Sequence, residues 1–410
     1  MKRRLRNDKC ILVAWPDLLP TNHAGAVRGK ALANAVERIG WNPLMITPRN
    51  ERSAQLTSPS EHVELMTLYD SYASRYPPPL ALFALPLTVW RLVSLARSNR
   101  VVAAISSTPA PFVALETSLM AAILGIPFLF DVRDAWTLEE ITHRGFFRNR
   151  FKRWLEGRLC RRASRVWAVT QSLAKMLVRT HRLPSEKVKV VPNGADLSRF
   201  RALNGPRLFD LVFLGAPSLY RDVPSLLKAF DALVSLRGSV KILWLGWREA
   251  PLPPGAAALL KDLIRRGSLK LSPPVPHDSV PDALAMSKVG VVSLSGESVF
   301  QTAIGAKTYE YLATGLPLLC LGPPGESELR QLVESQRVGF FTVTPEEFAK
   351  RGIELISDPD LSSALARNCQ RVASKHDRGM ILRTALLRDL DGTGAPETEG
   401  KATPRRVYPD

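Results

Sequence analysis

Short apolar runs alternate with segments of helical period from one end of the chain to the other, and few folds accommodate that pattern. Residues 11–15, 43–47, 101–107, 127–132, 165–170 and 187–193 read as buried strands, with helix-like segments between most of them. The first is followed by VRGKALANAVERIGW, in which Gly40 marks a helix end. A second series then begins at residues 210–215 and continues at 241–246, 269–275, 289–294, 316–322 and 338–343, separated by helices such as PSLLKAFDALVSLRG and AKTYEYLATG. Parallel strands need a crossover long enough to return the chain, and a helix supplies it, so each series predicts a doubly wound α/β sheet. Between them PNGADLSRFRALNGPR, from Pro192, is rich in turn formers and reads as a linker. The expected organisation is therefore a domain at 1–198, a second at 206–375 and a helix at about 376–390 returning to the first. The apolar-poor end at 391–410 is expected to be disordered.

Of the 410 residues 45% are hydrophobic and 23% charged, enough apolar material for two cores. Cys10, Cys160, Cys320 and Cys369 lack the spacing of a zinc knuckle or redox dithiol, so reduced thiols and a cytoplasmic setting are expected. The run after the basic start is too short for a signal peptide, and no apolar stretch reaches the roughly 18 residues of a bilayer span. The closest, residues 79–96, is broken by Pro86 and Arg91 and reads as a buried or surface-seeking helix.

The densest chemical cluster is TAIGAKTYEYLATGLPLL, from Thr302. A turn at Gly305 leads into a helix whose first backbone N–H groups lack partners, which suits a diphosphate, with Lys307 in the first turn. Glu310 follows on the same helix, and a carboxylate can accept two hydrogen bonds from the vicinal hydroxyls of a ribose. The alternative is that Gly305 only makes the turn and Glu310 only favours the helix dipole.

These residues resemble the retaining GT-B glycosyltransferases of family 4. Thr302, Ala303, Ile304 and Gly305, then Glu310, then Ala313, Gly315, Leu316 and Pro317 match the family's Glu-Gly-Phe-Gly, second Glu and Ala-x-Gly-x-Pro, with Thr302 standing where the first Glu usually is. The resemblance implies two Rossmann-like doubly wound domains facing each other across a cleft. It implies Glu310 at the donor ribose, Gly305 at the phosphates and Thr302 near the transferred sugar. In LVFLGAPSLYRDVPSLLKAF, Gly215 is kept, Ala216 replaces the family's Arg, and Arg221 falls about where its Lys belongs. The alternative for Arg221 is a plain surface charge beside Asp222. Arg133 and Asp134, at a strand end, match the Arg-Asp subgroup and would lie near the transferred sugar as the catalytic pair. A structural ion pair would look the same. His23, Gly25 and Ala26 resemble the loop near the donor phosphates, and only Gly25 of its glycine pair is present.

Other signals are discounted. Asp358-Pro359-Asp360 reads as a helix-end turn rather than a metal motif. No G-x-G-x-x-G follows the first strand, and the histidines show no ligand spacing, so neither cofactor nor metal is expected.

Charge is uneven. Of the net +18, residues 1–200 hold 30 Lys+Arg against 15 Asp+Glu, a net of +15. RGFFRNRFKRWLEGRLCRRASR, from Arg144, carries Phe147, Phe151, Trp154 and Leu155 at helical spacing among its cations. Arg148, Arg150, Lys152 and Arg153 are expected to face an anionic membrane surface, the alternative being core aromatics with solvated cations. Nucleic acid is disfavoured, since no recognised module is present. The expected activity is metal-independent, retaining transfer of a sugar from a nucleotide-diphosphate sugar donor to a saccharide or lipid-linked saccharide. A nucleotide-sugar epimerase or hydrolase, or a non-catalytic binding protein on the same fold, is the alternative.

Overall fold

The computed structural model describes residues 9–15, 24–48, 63–66, 79–134, 136, 146–202, 205–218, 221–295, 301–302 and 304–390. Seven strands form the first sheet: β1 (Cys10–Ala14), β2 (Asn42–Pro48), β3 (Val63–Met66), β4 (Val101–Ser107), β5 (Phe128–Val132), β6 (Arg165–Ala168) and β7 (Val188–Val190). All pair in parallel in the order β3-β2-β1-β4-β5-β6-β7. The chain runs from β1 out to β3 and then returns past β1 to β4, so the right-handed crossovers before that reversal lie on one face and those after it on the other. Helices α2 (Pro79–Ser98), α3 (Pro111–Leu124), α4 (Phe146–Arg162) and α5 (Gln171–His181) share one face and its core, and α1 (Ala24–Arg38) covers the other. Helices on both sides explain why β1 and β5 are buried almost along their whole length rather than alternating, with Asp131 the one charged residue in them.

The second sheet repeats the plan with β8 (Phe209–Leu214), β9 (Ile242–Leu245), β10 (Leu269–Ser272), β11 (Ser287–Ser293), β12 (Leu318–Leu321) and β13 (Gly339–Thr342), parallel in the order β10-β9-β8-β11-β12-β13. One face packs α6 (Val223–Leu236), α7 (Pro254–Arg265) and, further along the chain, the helix Pro345–Ser357. The other packs α8 (Val280–Ala285), α9 (Ala306–Ala313), α10 (Glu328–Gln336) and the helix Pro359–Ala373. These last two, α11 and α12, meet at Asp358, whose carboxylate accepts from Leu361 N at 2.9 Å and so caps α12. Both halves are thus doubly wound α/β domains.

The last helix, α13 (Arg378–Asp389), lies against α1, where Leu382, Ala385 and Leu386 join Leu32, Val36 and Trp41 in the first domain's core. Its start is tied to the linker by a bridge between Ala195 and Asp377. Gly194 lies so close beneath His376 O that a Cβ would overlap it. The 391–410 segment and His23 fall outside the described residues.

Candidate functional site

The second domain's candidate residues gather where β8 ends. Gly215 takes φ +132° there, a conformation open to glycine, and a Cβ on it would run into both the Arg221 guanidinium and Lys307 Nζ. Lys307, in the first turn of α9, donates to Leu214 O at 3.0 Å, and Arg221 donates to Ala216 O at 2.9 Å while lying 5.5 Å over the Phe213 ring. Arg221 is therefore partly buried rather than a plain surface charge, and Asp222 turns away to cap α6 by accepting from Ser225 N at 3.3 Å. The frame beneath is hydrogen-bonded: the Tyr311 hydroxyl on α9 accepts from Leu214 N at 2.7 Å, and Ser293 Oγ donates to Arg221 O at 2.7 Å.

Two cations held together in a partly buried corner repel each other. Burial and the neighbouring guanidinium push the Lys307 amine down to about 7, and burial lowers Arg221 from its usual value. Gly305 stands immediately before α9, which has no side-chain cap at its N-terminus. At φ −64° and ψ 143°, with nothing within 4 Å of its Cβ position among the described residues, Gly305 is required neither by the backbone nor by those neighbours.

Glu310, one turn after Lys307, is buried. Its Oε1 takes His277 Nε2 at 3.1 Å and lies 3.8 Å from Arg378, leaving Oε2 without a partner among the described residues. Thr302 meets the first domain through its backbone: Thr302 O accepts from Thr170 Oγ1 at 2.7 Å, beside Asn193 Nδ2, which donates to Ile304 O at 3.4 Å.

In the first domain Gly25 lies in the opening turn of α1, and its carbonyl accepts from Trp15 Nε1 at 2.8 Å. The Arg133 guanidinium sits 5.2 Å over the same Trp15 ring and donates to Ser107 Oγ at 2.9 Å and to Thr108 O. Asp134 follows, its backbone N–H donating to Thr108 Oγ1 at 3.2 Å, with its side chain exposed. Trp15 thus joins Gly25 to Arg133 at the C-terminal edge of the sheet, where ligands of open α/β sheets gather. Arg150, Lys152 and Arg153 lie apart from this site on α4; the Arg148 side chain lies outside the described residues.

Sequence reasoning missed several participants. Arg28 on α1 is buried against Asp131 at 2.8 Å and donates to Val191 O and Pro192 O, joining helix, strand end and linker. His277 and Arg378 hold Glu310 from two other segments. A lone arginine in an amphipathic helix carries no sequence signal of such a pairing. The Pro276-His277-Asp278 turn after a strand end was the one usable hint for His277.

Residues 26–199 match the family model described as Glycosyltransferase Family 4. No curated protein matches the chain by sequence. Among solved structures it is similar to a glycosyltransferase from Rickettsia africae, at 15% identity and TM-score 0.69, covering 94% of this chain and 100% of that one. Sucrose-phosphate synthase from Thermosynechococcus elongatus gives 15% identity and TM-score 0.69, covering 93% and 98%. Anabaena HepE, solved in complex with UDP-glucose, gives 18% and 0.68, covering 93% and 99%. At these identities the structural likeness establishes the fold, which is GT-B over nearly the whole chain. The match to the Glycosyltransferase Family 4 model over residues 26–199 and the GT-B fold together support a glycosyltransferase.

Proposed function

We propose that the chain transfers a sugar, with retention at the anomeric carbon and without a metal ion, from a nucleoside-diphosphate sugar to a saccharide acceptor carried on a lipid. The observation that carries this reading is the convergence of Arg221 and Lys307 on Gly215 beside the uncapped N-terminus of α9. Paired cations and open N–H groups at one strand end form a cradle for a diphosphate. The glycine at 305 leaves the phosphates a close approach to the backbone. Oε2 of Glu310, left open while Oε1 takes His277, is the acceptor this reading gives the ribose, and the complex of HepE with UDP-glucose supports a UDP-linked donor.

In the reaction the bond between the anomeric carbon and the bridging phosphate oxygen breaks, and its electron pair leaves with the diphosphate. Charge therefore grows on phosphate, where the reading has Arg221, Lys307 and the α9 N–H groups donate. Losing one preorganised donor of this kind typically costs about 100- to 1000-fold in kcat. The acceptor hydroxyl adds on the face the diphosphate leaves and passes its proton to the departing phosphate oxygen. Arg133 and Asp134 are assigned to the transferred sugar from the opposite domain, Arg133 being fixed by Ser107, Thr108 and Trp15. A lipid-borne acceptor fits the basic first domain, in which the reading assigns Arg150, Lys152 and Arg153 of α4 to the headgroups of an anionic bilayer.

The test is transfer from nucleotide-diphosphate sugars to a lipid-linked saccharide in EDTA, with the product anomer read by NMR. Product with the donor's anomeric configuration is expected. An inverted product, dependence on added manganese, or turnover to an epimerised nucleotide sugar would overturn the corresponding part of the reading.

A further inference from the structure

On the outer face of the first domain, α2, α3 and α4 lie side by side over the same core, and each turns large apolar residues outward. Leu87 and Trp90 on α2 are 52% and 66% exposed, and Ile123 on α3 is 58% exposed. Phe151 and Trp154 on α4 stack at 5.8 Å and are 43% and 54% exposed. Between them α3 brings Leu115 and Leu119 only half-buried, so apolar surface continues across the helices. Cations border it: Arg91 and Arg97 are exposed on α2, and Arg150, Arg153 and Arg158 on α4, with Arg158 lying 5.8 Å over the Trp154 ring.

We infer that these three helices form one membrane-docking platform, in which Leu87, Trp90, Phe151 and Trp154 enter the interface of an anionic bilayer while the arginines engage its headgroups. Tryptophan beside arginine suits that boundary, because the ring favours the headgroup level and each cation near an anionic surface strengthens binding about fivefold. A second copy of the chain fits less well, since it would bring two cation-rich faces together. Nucleic acid would find no use for the aliphatic Leu87 and Ile123. The inference deepens the lipid-borne acceptor reading and rests on it only for purpose. It adds α2 and α3 to the surface and makes part of the attachment hydrophobic, hence resistant to salt.

The experiment is co-sedimentation of the full chain with vesicles of phosphatidylcholine, alone or mixed with phosphatidylglycerol, at 0.05 and 0.5 M salt. The wild type is expected to pellet with the anionic vesicles and to keep part of its binding at the higher salt. Leu87→Ser/Trp90→Ser should weaken binding at least tenfold with α4 untouched. Arg150→Ser/Arg153→Ser should weaken it at low salt and leave the salt-resistant part. Unchanged thermal unfolding identifies variants that are folded, and unchanged donor affinity by calorimetry keeps this result separate from the catalytic reading. The platform is overturned if the α2 variant pellets like the wild type, if neither vesicle type binds the wild type, or if the exposed residues instead drive self-association without lipid.

Discussion

Lys307 shows how one side chain can report on the ligand. Its amine titrates at about 7 because burial and Arg221 both oppose its charge, and a bound diphosphate reverses that balance. Below about pH 6 the amine is already charged and binding takes up no proton; above about 7 the free protein has lost the proton and must regain it, so donor affinity should fall by up to tenfold per pH unit. Calorimetry at pH 8 in buffers of different ionisation enthalpy should show uptake approaching one proton per donor. Lys307→Arg should abolish that uptake, and a flat wild-type affinity from pH 7 to 9 would refute the coupling. Gly305 makes the complementary case. Its backbone angles suit alanine and nothing among the described residues crowds its Cβ position, so Gly305→Ala should stabilise the free protein by about 0.4–1 kcal/mol through the unfolded chain. It should at the same time weaken the donor at least tenfold; equal donor affinity in the two proteins would remove the phosphate from this turn. Both residues stand in a stretch whose chemistry could be read from the chain itself, because a helix start, its glycine and its lysine are neighbours in sequence. Glu310 was legible only in part: its place on the helix follows from spacing, whereas its partners His277 and Arg378 come from segments 33 residues before it and beyond α12.

Among the elements, α3 is apolar enough to lie buried on several sides, yet it carries Glu116 inward with Oε2 unpartnered among the described residues. Burial alone raises that carboxyl to about 8. A raised carboxyl favours the fold below its unfolded value near 4.5 and loses that advantage as pH climbs through 8. Stability should therefore decline by at most about 1.4 kcal/mol per unit over that window. Glu116→Gln cannot ionise, so urea unfolding should give it a growing advantage over the wild type from pH 5.5 to 8.5. A constant difference between the two would show that Glu116 does not titrate in this range. The strands were largely legible from their apolar runs, as in β4, whose residues 101–107 were read with both ends correct. Strand β3 was not, since VELM is a short edge strand with a glutamate in it and offers no run to detect. Helix α4 was legible as a basic helix with aromatics, but its stripe divides: Leu155 goes inward with Leu159 and Cys160 while Phe151 and Trp154 stay outside. The buried Glu156 explains the rotation, for it accepts from Trp136 N at 2.7 Å and pairs with His181 at 2.9 Å, turning that side of α4 to the core.

At the scale of the molecule the two domains are joined through the linker and through α13. The linker carries Gly194 beneath His376, α13 returns to α1, and Trp167 Nε1 donates to Asp389 Oδ2 at 2.7 Å at the far end of α13. Arg28 ties the linker to the first sheet through Asp131, 103 residues away. Distances of that order explain why two domains could be drawn from the pattern of strands while the groups that hold them together could not. The same arrangement brings the Thr302 backbone, three residues before Gly305, to Thr170 of the other domain. The central claim is that the donor cradle, built of protein cations and a helix N-terminus, binds a nucleoside-diphosphate sugar. Thermal unfolding with a panel of such sugars in EDTA tests it most directly, on the wild type and on an Arg221→Ala/Lys307→Ala variant. At 100 times its dissociation constant a true donor adds about 2.7 kcal/mol, so at least one sugar nucleotide should raise the wild-type Tm by several degrees and leave the double variant unmoved. Stabilisation of both proteins alike, or of neither by any member of the panel, would contradict the account.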